Sequence, residues 1–283
     1  MTPTPSGPTW WGPGGVLPRP FDPGGASFSS LLAAVSGTQP VPGPAGPGRP
    51  PEALSPDGTT VLAVVSRDGV VMAGDRRATS GNVIARSDLR KVFPADSHSM
   101  VAISGTAGPA MELAKVLATE LEHYEKVEGE TLSLEGKSNR LAGLVRANLA
   151  LTLQGLIVVP LFAGYDRAGE RGRIFEYDAI GGRYVATDHA VAGSGSLSVR
   201  ATLRRAADAA APMEHAIDAA LEALLVAADE DSATGGPDPS RGIFPLVAVV
   251  DRDGYREVGE DAIADRVARL MEARGTAARR SGG

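Results

Sequence analysis

Two apolar runs separated by a short Asp-Gly turn constrain the fold of this chain more than any other stretch. The runs, residues 61–65 and 70–73, consist of Val, Leu, Ala and Met. Such runs joined by such a turn predict a β-hairpin, which brings the end of the second strand back beside the start of the first. Thr59 precedes the first run and Asp75 follows the second, so we expect these two residues to lie close together.

A third element carrying Lys91 would complete a cluster of one hydroxyl, one carboxylate and one amine. A threonine hydroxyl is a poor nucleophile near neutral pH and needs a base within hydrogen-bonding distance. Cleavage between Gly58 and Thr59 would create that base, because a free α-amine has a pKa of about 7.7 to 8.0 and a nearby ammonium lowers it. Taken singly, these residue types are more common as strand residues or solvated surface charges than as catalytic groups.

The first 58 residues differ in composition from the rest of the chain. They contain fourteen of the 21 prolines, many glycines and few charges. A segment of this composition does not bury enough apolar surface to fold by itself. We therefore interpret residues 1–58 as a largely disordered tail or, alternatively, as a propeptide that is removed at Gly58.

Composition and charge exclude several classes of function. The net charge of −6 and the lack of a basic run argue against a nucleic-acid surface. The chain has no cysteine and its four histidines are isolated, so we expect no disulfide, no metal site and no cofactor. No signal-peptide pattern is evident, and the longest apolar run, residues 156–164, is too short to span a bilayer. We expect a soluble, cytoplasmic protein.

Hydrophobic periodicity predicts strand pairs alternating with helix pairs. After the hairpin, strands are predicted at residues 100–104, 157–165, 173–177, 184–187, 244–251 and 255–258. Helices are predicted at residues 110–127, 134–153, 196–207, 213–229 and 261–274, followed by a frayed tail over residues 275–283. Strand pairs with short turns beside paired helices predict an α+β fold in which helices cover antiparallel sheets.

Six short motifs occur in the order and spacing of one known family. They are Thr59-Thr60-Val61 after a glycine, Gly74-Asp75-Arg76-Arg77-Ala78-Thr79, Lys91, Gly105-Thr106-Ala107-Gly108, Gly193-Ser194-Gly195-Ser196 and Asp231-Ser232-Ala233-Thr234-Gly235-Gly236. From residue 59 to about residue 274 the chain resembles a mature proteasome β subunit of the bacterial, actinobacterial type. The resemblance implies the fold of N-terminal nucleophile hydrolases, a four-layer α-β-β-α sandwich of two antiparallel sheets flanked by helices.

The resemblance also implies a role for each matching residue. Thr59 is the nucleophile of a threonine endopeptidase, its freed amine is the base, and Gly58 presents the carbonyl that is cut during activation. Asp75 fixes Lys91, whose charge favours the deprotonated nucleophile and the neutral amine. The backbone N–H of Gly105 is the oxyanion donor. Three accessory polar residues lie near the nucleophile, the last at a position where serine is common: Ser194, Asp231 and Thr234.

Seven further positions match those that bind substrate in the family. Thr79 lies where the substrate backbone is added as a strand. The pocket for the side chain that precedes the cut is matched by six apolar residues, which are Ala78, Leu89, Phe93, Ile103, Ala107 and Met111. An apolar lining predicts cleavage after bulky apolar residues such as Leu, Phe or Tyr.

The particle that the resemblance implies consists of stacked seven-membered β rings capped by rings of α subunits, with an ATPase ring that delivers unfolded proteins to an internal chamber. Residues 1–58 are then the propeptide, residues 59–274 the catalytic domain and residues 275–283 a flexible tail.

Two other functions stay open on the sequence alone. One is a simpler proteasome-like protease that pairs with an unfoldase ring, although that relative typically has almost no propeptide. The other is a structural ring subunit without activity, although such subunits typically lack one of the three residues retained here as Thr59, Asp75 and Lys91. Peptide hydrolysis separates the structural subunit from the two proteases, and copurification with α subunits separates the proteases from each other.

Overall fold

The computed structural model describes residues 58–81 and 83–281, and within them the predicted hairpin opens a five-stranded antiparallel sheet. Its two strands are β1 (Thr60–Ser66) and β2 (Gly69–Gly74). Three later strands complete this first sheet: β10 (His189–Gly193), β11 (Leu246–Asp251) and β12 (Gly254–Glu257). The strand order is β10-β1-β2-β11-β12, so the hairpin lies at the centre of the sheet and its ends are buried.

The second sheet also has five antiparallel strands, and they follow one another in sequence order. They are β5 (Val92–Asp96), β6 (Ser99–Gly105), β7 (Val158–Asp166), β8 (Arg171–Tyr177) and β9 (Arg183–Ala186). A separate small hairpin, β3 (Ala78–Ser80) with β4 (Val83–Arg86), connects the first sheet to the second along the chain.

Helices cover the outer face of each sheet. Those beside the second sheet are α1 (Ala107–Glu128) and α2 (Leu134–Ala147), followed by the short α3 (Leu149–Leu153). Those beside the first sheet are α4 (Ser196–Ala206), α5 (Met213–Glu230) and α6 (Glu260–Ser281). A buried ion pair attaches α2 to the end of β5, because Lys137 Nζ lies 2.6 Å from Asp96 Oδ2.

The side-chain alternation of β1 explains the layered core. Leu62 and Val64 face α4, α5 and α6, whereas Val61 and Ala63 face the second sheet. Successive strand residues point to opposite faces, so a central strand with apolar residues throughout is buried on both sides. A third cluster lies between the second sheet and its helices. The predicted four-layer α-β-β-α sandwich is therefore confirmed.

Several predicted boundaries were wrong, two of them for a local reason. The helix predicted over residues 134–153 is interrupted at Asn148, whose side-chain amide donates to the Leu144 carbonyl and competes with the helical backbone. Strand β11 was predicted to begin at residue 244. It begins at Leu246, because the preceding Pro245 lacks a backbone donor. The final helix runs to Ser281 and not to residue 274.

Strand β10 and the β3–β4 hairpin were not predicted. Strand β10 is composed mainly of Ala and Gly, which are poor strand formers, and only its pairing with β1 keeps it extended. The β3–β4 hairpin is short, and the four residues of β4 are all exposed, so it lacks the periodic burial that marks a strand.

Within the part of the chain that the structure describes, no helix is long and apolar enough to cross a membrane. No group of three or more metal-binding side chains occurs among these same residues. The predicted propeptide, apart from Gly58, and the last two residues of the predicted tail lie outside the described residues.

Candidate active site

Thr59 lies at the start of the central hairpin and is buried. Its carbonyl oxygen accepts a hydrogen bond from the backbone N–H of Ser194 at 2.9 Å. Gly193 precedes that donor with a φ of 106°, and a Cβ atom there would lie 1.6 Å from the Thr59 oxygen. Only glycine allows this approach, so the turn after β10 fixes the backbone of the candidate nucleophile.

Asp75 follows β2 and accepts four hydrogen bonds. Its Oδ1 accepts from the Thr60 N–H at 2.9 Å and from Lys91 Nζ at 2.5 Å. Its Oδ2 accepts from the N–H groups of Arg77 at 2.9 Å and Gly235 at 2.8 Å. The hairpin thus brings Asp75 against the peptide that follows Thr59, and three backbone donors fix the orientation of the carboxylate.

Lys91 precedes β5 and reaches the first sheet from the second. Its ammonium donates to Asp75 Oδ1 and to the Arg77 carbonyl oxygen, both at 2.5 Å. The Lys91 and Asp75 residues are each only 1% exposed. A buried lysine requires such partners, because removing an ammonium from water without compensation is costly. Asp75 thus joins Lys91 to the peptide that follows Thr59, so the three predicted residues lie on adjacent segments.

The three accessory residues form a second cluster. The hydroxyls of Ser194 and Thr234 each donate to Asp231 Oδ2 at 2.6 Å, and the Ala233 N–H donates to Asp231 Oδ1 at 3.1 Å. Burial raises the pKa of Asp231, but the hydrogen bonds from Ser194, Thr234 and the Ala233 N–H, together with the charge of Lys91, outweigh burial and leave this pKa below its usual value. The cluster therefore contains an ionised carboxylate.

Two residues that the sequence did not single out connect these clusters. Thr60 bonds to Asp75 through its N–H, and its hydroxyl lies 2.6 Å from the Thr234 hydroxyl. Arg77 supplies its N–H to Asp75 and its carbonyl to Lys91, while its guanidinium donates to the Ser232 carbonyl at 2.9 Å. Both residues lie inside the matched motifs, but their contacts with Asp75 and Lys91 are made by backbone groups, which leave no residue-type signal in a sequence.

Gly105 ends β6 just before α1 and has a φ of 99°. A Cβ atom at this position would lie 2.1 Å from the Ile157 carbonyl oxygen. Backbone conformation and close approach therefore both require glycine here, independently of any role as an oxyanion donor.

Thr79 and Gly58 lie side by side. The Gly58 N–H donates to the Thr79 hydroxyl oxygen at 3.0 Å. A Cβ atom on Gly58 would lie 2.1 Å from the Ala233 side chain, so the backbone of this residue passes through a gap that only glycine fits. Thr79 is on β3, beside the peptide bond at which cleavage was predicted.

The six apolar positions differ in their accessibility. Ile103 and Phe93 pack in the cluster beneath α1, and Ile103, Ala78 and Leu89 are buried. Ala107 and Met111 lie one turn apart on α1, and Met111 is 38% exposed. The set therefore combines buried side chains with the exposed side chain of Met111.

Comparison with known proteins gives consistent results. Residues 56–237 match the family model described as proteasome subunit. A proteasome subunit beta from Acidothermus cellulolyticus is 51% identical over 274 residues, which is 93% of this chain and 93% of that protein. The protein of the same name from Streptomyces griseus is 47% identical, over 92% of this chain and 93% of its own length. The one from Acidimicrobium ferrooxidans is 49% identical, over 88% and 90%.

Proposed function

Because this chain belongs to the proteasome subunit family, in which it is a catalytic β subunit and a threonine endopeptidase, we propose that Thr59 is its nucleophile. In this mechanism the α-amine of Thr59 takes the proton of the Thr59 hydroxyl as the oxygen attacks a peptide carbonyl. The ammonium of Lys91 stabilises the negative charge that develops on the attacking oxygen. Asp75 holds Lys91 in position.

The observation that carries the proposal is the set of four hydrogen bonds on Asp75. One carboxylate binds both the Lys91 ammonium and the N–H of the peptide that follows Thr59. An isolated surface ion pair is worth little and is poorly oriented. This buried pair is instead fixed by backbone donors from three segments, which is the preorganisation that electrostatic catalysis requires.

Activation is proposed to use the same hydroxyl. The Thr59 oxygen attacks the Gly58 carbonyl, the Gly58–Thr59 C–N bond breaks as an ester forms, and water hydrolyses the ester to a Gly58 carboxylate and a free Thr59 hydroxyl. The nitrogen released is the α-amine base. Before this cut the nitrogen is an amide, which does not act as a base, so the precursor is inactive. The backbone of Gly58, held between Thr79 and Ala233, supports attack at this carbonyl.

The accessory residues are proposed to control protons around the amine. Asp231 is an ionised acceptor that orients the hydroxyls of Ser194 and Thr234. The N–H of Gly105 is proposed to stabilise the oxyanion of the tetrahedral intermediate. Substitution at Gly105 does not test this role cleanly, since any side chain there would overlap the Ile157 carbonyl.

The intact mass and N-terminal sequence of the chain, coexpressed with its proposed α-subunit partner, test the proposal directly. We expect a mature chain that begins at Thr59 and hydrolyses peptides, because only this cut creates the amine base. An assembled particle that hydrolyses peptides while its chain remains full length would refute the mechanism. Omission of the α partner serves as the control for assembly-dependent cleavage.

Specificity is the second expectation from this site. The apolar set that includes Phe93, Ile103 and Met111 leads us to expect faster cleavage after Leu, Phe or Tyr than after Lys or Asp. We expect a preference of at least about tenfold in kcat/KM, since burying a charged side chain among apolar groups costs more than 1.4 kcal/mol. A series of fluorogenic peptides that differ only in the residue before the cut measures it. Faster hydrolysis after the charged residues would contradict the pocket assignment.

The assembly proposed for this subunit is a stack of seven-membered β rings between α rings, served by an ATPase ring in the cytoplasm. Residues 1–58 are proposed as the propeptide, residues 59–274 as the catalytic domain and residues 275–283 as a C-terminal tail, in which α6 continues to Ser281. Native mass spectrometry of the coexpressed particle measures the number of β chains per particle, and a multiple of seven is expected from stacked seven-membered rings.

A further inference from the structure

Thr60, the residue after the proposed nucleophile, is completely buried. Its N–H donates to Asp75 Oδ1 at 2.9 Å, and its carbonyl accepts from the Asp75 N–H at 3.2 Å. Its hydroxyl oxygen accepts from the Gly195 N–H at 3.0 Å and lies 2.6 Å from the Thr234 hydroxyl oxygen. Thr60 therefore contacts both carboxylate clusters of the site.

The direction of each hydrogen bond in this chain of contacts follows from the number of protons. The Asp231 carboxylate only accepts, so the single hydroxyl proton of Thr234 is donated to Asp231. The Thr234 oxygen must then accept the proton of the Thr60 hydroxyl. The Thr60 oxygen in turn accepts from the Gly195 N–H. The result is a directed relay from Gly195 through Thr60 and Thr234 to Asp231.

The relay is closely packed. A Cβ atom on Gly195 would lie 2.8 Å from both hydroxyl oxygens, and Thr234 is as completely buried as Thr60. Loss of the Thr60 hydroxyl would leave a buried N–H without its acceptor and Thr234 without its donor. Such unpaired groups carry a desolvation penalty, and linked hydrogen bonds weaken one another when one is lost.

We propose that Thr60 is a positioning residue for peptide hydrolysis, whose hydroxyl connects the peptide unit after Thr59 to Asp231 while its N–H connects that unit to Asp75. The carbonyl of the same peptide unit is held by Ser194. Both ends of the Thr59–Thr60 peptide are thereby fixed, and with them the direction of the Thr59 side chain. This role rests on the proposed function of Thr59 as the nucleophile.

The test compares Thr60→Val, which preserves the shape but removes the hydroxyl, with Thr60→Ser, which keeps the hydroxyl. In particles whose mature chain begins at Thr59, we expect kcat of Thr60→Val to fall about tenfold with KM within about twofold. We expect Thr60→Ser to stay within about threefold of the parent. We also expect the acid limb of the Thr60→Val pH–rate profile to shift to higher pH, because Thr234 then donates more weakly to Asp231. A purely structural role would leave that limb unmoved.

A double-mutant cycle with Thr234→Val tests the relay itself. Since both substitutions break the same chain of hydrogen bonds, the double variant should lose little more activity than Thr234→Val alone. The proposal would be overturned if the losses of activity in the two single variants multiplied in the double variant. It would equally be overturned if the Thr60→Val particle had the kcat and pH profile of the parent. It would also be overturned if Thr60→Val and Thr60→Ala both failed to assemble while Thr60→Ser assembled, because the hydroxyl would then serve folding.

The parent particle in the same experiment separates this proposal from the proposed function. If the parent chain hydrolyses peptides without exposing Thr59, the mechanism itself fails and the role of Thr60 fails with it. If the parent matures and hydrolyses peptides while Thr60→Val equals it in rate and pH profile, only the positioning role of Thr60 is refuted.

Discussion

Replacement of Thr59 by alanine is expected to reduce peptide hydrolysis by at least about a thousandfold, since the hydroxyl is the group that forms the covalent intermediate. The same variant should retain the first 58 residues, because the hydroxyl that would cut the Gly58–Thr59 bond is absent. Its fold should persist, since the backbone of Thr59 is held by the Ser194 N–H, which does not depend on the side chain. Hydrolysis of a fluorogenic peptide and the intact mass of the chain measure both effects.

Thr59→Ser is the matched control for this variant. It keeps a hydroxyl at the same position and removes one methyl group, so we expect it to be processed and to retain activity within about tenfold of the parent. A Thr59→Ala chain that was cut at residue 58 and active would place the nucleophile elsewhere.

Replacement of Lys91 is expected to have the second-largest effect. Lys91→Ala and the better space-filling Lys91→Met should both abolish measurable cleavage, because the charge that favours the deprotonated nucleophile is lost. Breaking a buried ion pair by removing one partner typically costs about 3–5 kcal/mol. Three backbone N–H groups still donate hydrogen bonds to the Asp75 carboxylate in these variants, so the subunit should still fold and assemble. Activity per assembled particle, together with the thermal midpoint, is the measurement.

Lys137→Met provides the matched control for Lys91→Met. Lys137 is also a buried lysine paired to a carboxylate, but it lies on α2, and its partner Asp96 is at the opposite end of β5 from Lys91. We expect Lys137→Met to lower the thermal midpoint to a similar extent while leaving activity per assembled particle unchanged. An active Lys91→Met particle would remove Lys91 from the mechanism. Equal loss of activity in both variants would attribute the effect of Lys91 to stability alone.

The local parts of the site were predictable because a short turn fixes the register of a hairpin. The runs around the Asp-Gly turn predicted β1 and β2, and the register that pairs Val61 with Gly74 brings Asp75 against the Thr59–Thr60 peptide. Resemblance to a family supplied Lys91, Ser194, Asp231 and Thr234 as candidates. The fold class followed from the same resemblance and from the alternation of strand pairs with helix pairs.

Other features depended on pairings that local sequence does not encode. Strand β10 was missed because its Ala-rich and Gly-rich sequence adopts an extended conformation only beside β1. The break at Asn148 was missed because helical periodicity continues on both sides of it. The roles of the Arg77 carbonyl and the Gly235 N–H were missed because every residue type other than proline carries both backbone groups.

The sequence by itself determined the central hairpin, since a short turn depends only on neighbours within a few positions along the chain, and its motifs supplied the residue types available for catalysis. Only the tertiary structure decided which of those residues touch. Thr60 and Thr234 are 174 positions apart, yet their hydroxyl oxygens lie 2.6 Å from each other. That contact exists because β1, the turn after β10 and the segment after α5 pack together through burial of the apolar faces of the first sheet, and the hydroxyls are brought together as a consequence of that packing.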